Sequence, residues 1–289
     1  MTETISVDIA DRVMTITLDR PESLNSFNVP MLRELHDAFD RADASDEVRV
    51  IIVTGSGRAF CAGADLSGGS ESFGHSAPDV ARSEAGEEVP VRDGGGILTL
   101  RIFRCLKPVI AAINGPAVGV GATMTLPMDI RLASEQAKFG FVFAARGIVP
   151  EACSSWFLPR IVGISRAAEW CYTSRLFGAH EALDAGLVRS VHAPDDLLPA
   201  ARELASEIAA NSAPVSVALS RMMLWRMLGA SHPMEAHRID SRAVNYTGAA
   251  PDAREGITAF FQKRPPDWSM SVNDDLPPFV PWWDEPGFE

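Results

Sequence analysis

Two glycine-rich turns hold the residues of this chain whose types and spacing suit chemistry best. They are Arg-Ala-Phe-Cys-Ala-Gly-Ala-Asp-Leu (58–66) and Asn-Gly-Pro-Ala-Val-Gly-Val-Gly (114–121). Each follows an apolar run that reads as a buried strand, at 48–54 and 109–113. Ligands in α/β proteins collect at the carboxyl ends of strands. Small side chains and a permissive backbone let main-chain N–H groups approach such a ligand closely. The second turn also opens a helix, whose first N–H groups lack internal partners and carry partial positive charge. Two amides aimed at one carbonyl oxygen make an oxyanion hole, worth roughly 2.7–4 kcal/mol per donor in lowered barrier. The competing reading is a dinucleotide loop. Gly119-Val-Gly121 supplies GxG, but Met124 stands where the third glycine belongs, and no acidic residue follows at the expected distance.

A carboxylate comes next. In Gly-Ile-Val-Pro-Glu-Ala-Cys-Ser-Ser-Trp (147–156), Glu151 follows Pro150 at what reads as the first turn of a helix. There it could simply complement the helix dipole. Taken alone, that role comes first; the apolar company of Phe143, Val149 and Trp156 adds burial to it. The dipole would lower its pKa while burial raises it.

Composition narrows the function classes. The net charge of −12 argues against nucleic acid or an anionic membrane surface as partner, since both need a basic face. Cys61, Cys105, Cys153 and Cys171 lie far apart with no CxxC pair, and the six histidines show no HxxxH or HExxH spacing, so no metal is expected. No apolar run reaches the roughly 18 residues of a membrane span. The opening segment lacks the basic and apolar regions of a signal peptide, and the expectation is a cytoplasmic protein.

The elements that must position these turns are legible in part. Residues 4–10 and 13–18 alternate around Asp11-Arg12 as an antiparallel strand pair, and an amphipathic helix opens at Pro30 with Leu32, Leu35, Ala38 and Phe39 on one stripe. Strand, helix, strand at this spacing predicts a right-handed parallel crossover. Residues 67–96 are rich in Gly, Ser and Glu and read as a mobile lid. Helices are expected at 97–106, 120–126, 150–161, 166–174, 180–185, 197–211, 214–228, 233–244 and 251–263. The Pro- and Trp-rich end reads as an extended tail packed on a surface.

Taken together, residues 59–66, 107–121, Asp-Ile-Arg-Leu-Ala-Ser (129–134) and Ala-Lys-Phe-Gly (137–140) resemble the crotonase, or enoyl-CoA hydratase/isomerase, superfamily. The likeness runs from about residue 5 to 268. It implies an α/β fold: a ClpP-like spiral of β-β-α units over 1–200, a helical trimerisation region over 201–268, and the tail over 269–289. It implies that the amides of Ala64 and Val120 form the oxyanion hole and that an acyl-CoA thioester is the substrate. Coenzyme A would then be part of the substrate, with no separate cofactor. Ser23, Leu24, Asn25 and Ser26 align with the segment lining the coenzyme A path, and Ala62, Asp65 and Leu66 within the first turn are expected to contact the substrate. Asp65 reads as ending that turn and capping the next helix. Phe260 and Lys263 match a closing helix that reaches a neighbouring subunit's coenzyme A, although Lys263 and Arg264 also suit a solvated helix C-terminus.

The family's hydratases use two glutamates, and this chain has Thr123 and Phe143 in their places. Neither can carry a proton as a carboxylate does. The 147–156 run instead resembles the peroxisomal-type Δ3,Δ2-enoyl-CoA isomerases, whose catalytic base matches Glu151. Isomerisation needs a single base, with Thr123, Phe143 and Trp156 shaping the acyl pocket. The alternatives are a hydratase, or related enolate chemistry, with rearranged acid–base groups, and a non-catalytic coenzyme-A-binding member. The apolar positions Met222, Met223, Trp225, Met227 and Phe260, together with the resemblance, lead to a homotrimer or dimer of trimers. Light scattering checks this, and a monomer at micromolar concentration excludes it.

Overall fold

A computed structural model describes residues 4–68 and 92–288. Most of the expected 67–96 lid, with Glu71 and Asp79, lies outside the described residues.

The chain opens with the antiparallel pair β1 (Ile5–Ala10) and β2 (Val13–Leu18). Asn28 accepts from the Met31 N–H and starts α1 (Val29–Ala44), which buries Leu32, Leu35, Ala38 and Phe39. The chain then crosses to β3 (Val50–Gly55), parallel to β2. After α2 (Gly94–Arg104) come β4 (Val109–Ile113), β5 (Ala117–Val118), α3 (Val120–Thr123), β6 (Ile130–Ser134) and β7 (Lys138–Gly140). Next are α4 (Ser154–Val162), α5 (Ile164–Thr173), β8 (Phe177–Gly178), α6 (Ala179–Asp184) and β9 (Ser190–His192). Four helices close the chain: α7 (Leu197–Asn211), α8 (Pro214–Met227), α9 (Pro233–Ala249) and α10 (Pro251–Gln262).

Six strands form the main sheet in the order β1-β2-β3-β4-β6-β9, parallel except for β1. A second, three-stranded sheet, β5-β7-β8, turns the chain away from the first. This is the α/β architecture that the resemblance implies. None of the described helices is long and apolar enough to cross a membrane.

The main sheet is covered on both faces. One face packs on the large core containing α1 and α2, where Phe39, Phe60 and Trp170 have no exposed surface. Each such side chain contributes on the order of 1.5–3 kcal/mol of transfer free energy. The other face, Val13, Val50, Ile52, Ile110 and Leu132, packs on Leu197, Ala201 and Ala205 of α7. A boundary at residue 200 therefore falls inside α7, a helix that belongs to the sheet's own core. Beyond it, Val215 and Met222 of α8 pack with Ala243 of α9 and with Met270 and Val272 of the tail.

Polar anchors tie the layers together. Lys107 is 2% exposed, and its Nζ donates to the Ala42 and Ser45 carbonyls at the end of α1. Asp129 accepts from the Val109 N–H at 2.7 Å, from Arg221 Nε at 2.8 Å and from Trp225 Nε1 at 2.6 Å, which joins α8 to the sheet. Arg221 also donates to the Ile102 and Phe103 carbonyls at the end of α2. A buried guanidinium with this many acceptors is satisfied rather than costly.

Sequence expectations change at α4 and at α8. Residues 150–153 are not helical; α4 begins only at Ser154. Trp225 stacks edge-on with Phe103 and Phe157 inside the chain, and Met222 is buried, so these two are core rather than contact surface. The exposed apolar side chains nearby are Leu224 on α8, Leu228 just after it, and Phe260 and Phe261 on α10.

The two glycine-rich turns leave neighbouring parallel strands and are laced to each other. Gly55 N–H donates to Asn114 Oδ1 at 3.1 Å, the Phe60 and Cys61 N–H groups both donate to the Pro116 carbonyl, and Val118 N–H donates to the Cys61 carbonyl. A Cβ on Gly121 would stand 1.9 Å from that same Cys61 oxygen. Gly121→Ala should therefore force the turns apart and cost about 1–3 kcal/mol or more of stability. Chemical denaturation measures this, and a variant as stable as the parent contradicts the close approach.

Candidate active site

The laced turns open onto a cavity of about 490 Å³. Ala62, Gly63, Ala64 and Leu66 line it from the first turn, and Val118, Gly119 and Val120 from the second. Asp93, Gly94 and Gly95 enter from the start of α2, Phe27 from the segment before α1, and Phe143, Arg146 and Glu151 from the chain before α4. Among the described residues, neither the Ala64 nor the Val120 N–H donates a hydrogen bond. Val120 is the first residue of α3, where an N–H has no intrahelical acceptor. Two unused donors on one cavity can receive negative charge as it develops on a carbonyl oxygen.

Glu151 is held from several sides. Thr123 Oγ1 donates to its Oε1 at 2.5 Å. A Cβ on Gly95 would stand 2.1 Å from its Oε2, so only glycine leaves room for this carboxyl at the base of α2. The next two residues, Ala152 and Cys153, have φ of 56° and 54°. Two successive non-glycine residues in the left-handed region cost on the order of 1–2 kcal/mol each. The strained turn is fixed by Ala152 N–H donating to Asp93 Oδ2 at 2.9 Å, and by the Ser154 N–H and Oγ donating to the Glu151 carbonyl. Burial pushes the Glu151 carboxyl up to about 8; the Thr123 hydrogen bond opposes this, and the charge and hydrogen bond of Asp93 add to it. The helix-dipole account does not apply, because Glu151 precedes α4 by three residues.

The other expected site residues divide. Ala62, Leu66 and Phe143 line the cavity. Thr123 does not; fully buried, it holds Glu151 from behind. Trp156 packs against Phe103, Phe157 and Arg160, away from the lining. Ser23, Leu24, Asn25 and Ser26 also stand behind the wall. Asn25 is fully buried and donates to the Ser56 and Ala59 carbonyls, while the Leu24 carbonyl accepts from Ala62 N–H. Their neighbour Phe27 takes the lining position. Asp65 caps no described helix. Its Oδ1 accepts from Ser67 N–H at 3.0 Å and its Oδ2 from Arg20 at 3.0 Å, which together hold it below the usual carboxylate range. The cap of α2 is Asp93, whose Oδ2 accepts from Gly96 N–H. Phe260 and Lys263 line no part of this cavity within one chain. Asp93 and Gly95 escaped sequence reading because they sit in the weakly patterned 67–96 stretch. The available signal was the triplet Gly94-Gly-Gly96 behind an aspartate, an N-cap followed by residues that admit close approach.

The family model described as enoyl-CoA hydratase/isomerase matches residues 8–271. The enoyl-CoA hydratase ACTT3 of Alternaria alternata is 40% identical over 266 residues, which cover 92% of this chain and 86% of that protein. The 1,2-epoxyphenylacetyl-CoA isomerase of Escherichia coli (strain K12) is 32% identical over 275 residues, covering 93% and 99%. A crystal structure of a probable enoyl-CoA hydratase/isomerase from Mycobacterium abscessus superposes with a TM-score of 0.82 at 35% identity, covering 92% of this chain and 98% of that one.

The environment of Glu151 has a thermodynamic consequence. Its ionised form is disfavoured in the fold relative to the unfolded chain. The stability it contributes is therefore complete below the ordinary value of 4.5 and is lost as pH rises to about 8. Glu151→Gln, which has no charge to bury, should melt above the parent once the pH exceeds about 8. Calorimetry on both proteins checks this; a variant that melts lower there contradicts the burial argument.

Proposed function

Because the chain belongs to the enoyl-CoA hydratase/isomerase family, we propose that it is an acyl-CoA enzyme that moves a proton along a 3-enoyl thioester, with Glu151 as its acid and base. The observation that carries this reading is the placement of Glu151, half-buried on the cavity that the free Ala64 and Val120 amides also line. Thr123 and Phe143 stand where the family's hydratases carry glutamates. Ionised Glu151 takes a proton from C2, and the C–H electrons move into the thioester to give a dienolate. The dienolate oxygen rests between the two amides, which supply the donors that developing charge requires. Protonated Glu151 then returns the proton at C4. Thr123 holds Oε1 throughout, and Phe143 packs against the acyl chain. Coenzyme A enters as part of the substrate, and no separate cofactor is needed.

A second reading is hydration of a 2-enoyl thioester. Asp93 favours it, since a second carboxyl beside Glu151 offers the acid–base pair that hydration demands. Enoyl-CoA hydratase names among the relatives support it as well. Either reaction suits a homotrimer, in which the exposed Phe260 and Phe261 of α10 would meet a neighbouring subunit.

Parallel assays of 3-enoyl-CoA isomerisation and 2-enoyl-CoA hydration on the purified protein separate the two. Isomerisation should dominate, and its kcat/KM should climb with pH to a plateau above about 8, where Glu151 is ionised. Glu151→Gln should lower turnover roughly 10²–10⁴-fold, the range for losing a general acid–base group. Faster hydration selects the second reading, and a fully active Glu151→Gln enzyme removes Glu151 from the chemistry.

A further inference from the structure

Asp93 makes more contacts than a helix cap needs. Its Oδ2 accepts two N–H bonds, from Gly96 in the first turn of α2 and from Ala152, each at 2.9 Å. Ala152 is the residue directly after Glu151 and one of the two held at positive φ. With Oδ2 occupied, Oδ1 is left for the cavity side. A Cβ on Gly95 would lie 3.1 Å from that Oδ1 and 2.1 Å from Glu151 Oε2, so both oxygens crowd one point that Gly95 keeps empty. The two carboxyl groups therefore face one space over Gly95. Two carboxyl groups that share one space repel unless one of them carries a proton.

We propose that Asp93 and Glu151 form one carboxyl–carboxylate pair holding a single proton, in which Asp93 is a positioning residue that aims Glu151 and decides when it ionises. This rests on the assignment of Glu151 as the acid–base group. Asp93 acts in two ways. Through Ala152 it stabilises the strained turn that carries Glu151, and through Oδ1 it accepts the Glu151 proton in a hydrogen bond. Asp93 is itself open to water, so the proton of the pair can exchange with solvent although Glu151 is half-buried. No atom is gained or lost in this step, since one proton merely sits between two oxygens. The other titratable or charged groups around Glu151 are Cys61 in the first turn, Cys153 on the same turn as Glu151, Arg92 beside Asp93, and Arg146 on the chain before α4. None of them donates a hydrogen bond to Glu151; among the described residues that donor is Thr123.

The experiment is a titration of Glu151 itself, read by carboxyl carbon NMR on glutamate-labelled full-length protein, with Glu151→Gln to assign the signal. Asp93→Asn keeps an N-cap acceptor and the Ala152 contact but removes the charge and the shared proton. Its Glu151 should ionise at a pH lower by about one unit or more than in the parent, as loss of a like charge demands. The rising limb of the pH–kcat/KM profile on a 3-enoyl-CoA thioester should move down by the same amount. Asp93→Ser, which keeps the cap and loses the carboxyl, should give the same direction and serves if the asparagine variant folds poorly. An unmoved Glu151 titration in a folded variant overturns the proposal and leaves Asp93 a helix cap. Failure of the catalytic reading is distinct, because it would appear as an active Glu151→Gln enzyme whatever Asp93 does.

Discussion

The site depends on one close backbone approach. The Cys61 carbonyl sits where a Gly121 side chain would begin, and that contact brings the first turn of α3 against the turn that follows β3. A side chain there would push the two turns apart and separate the Ala64 and Val120 amides. The surrounding bonds reinforce the contact. Asn114 and Asn25 spend their amide groups on the Gly57, Ala59 and Ser56 carbonyls, so the loop backbone is satisfied without using the two cavity-facing donors. Buried backbone groups are almost always paired. Two unused donors beside a cavity are therefore what a ligand-binding surface looks like.

A second constraint works against the fold. Glu151 is placed by a turn with two left-handed non-glycine residues and is partly removed from water beside another carboxyl. Each feature costs stability, and each is compensated locally: Thr123 supplies a hydrogen bond, Asp93 anchors the turn, and Gly95 leaves the space. Strain and desolvation concentrated at one residue, with supporting groups arranged around it, are typical of a group held for chemistry rather than packing. The pocket lining also includes Phe27, Phe143 and Leu66, apolar side chains that suit an acyl chain.

Family membership and geometry leave different questions to each. Membership in the enoyl-CoA hydratase/isomerase family fits an acyl-CoA substrate. It does not choose among proton-transfer reactions, because that choice depends on which side chains surround the substrate carbon. In this chain those side chains include Thr123, Asp93 and Glu151.

What the sequence by itself determined is what is written in local pattern. Apolar runs marked β2, β3 and β4, and glycine clusters marked both turns. The stripe of Leu32, Leu35 and Phe39 marked the buried face of α1, and residues 197–211 read as a helix that the structure reproduces residue for residue. Short elements were lost: β5 and β8, of two residues each, have no period to read, and they exist only because β7 lies between them. Side-chain roles that depend on distant neighbours were lost as well. Thr123 and Glu151 are 28 residues apart, and Asp93 and Ala152 are 59 apart. The type of each residue was plain, but whether Thr123 faced a ligand or a carboxylate was decided only when α3 and the turn before α4 came together. The helix expected from Pro150 failed for the same reason. Local propensity favoured a helical turn there, and the tertiary bond from Ala152 to Asp93 holds the chain in a left-handed bend instead.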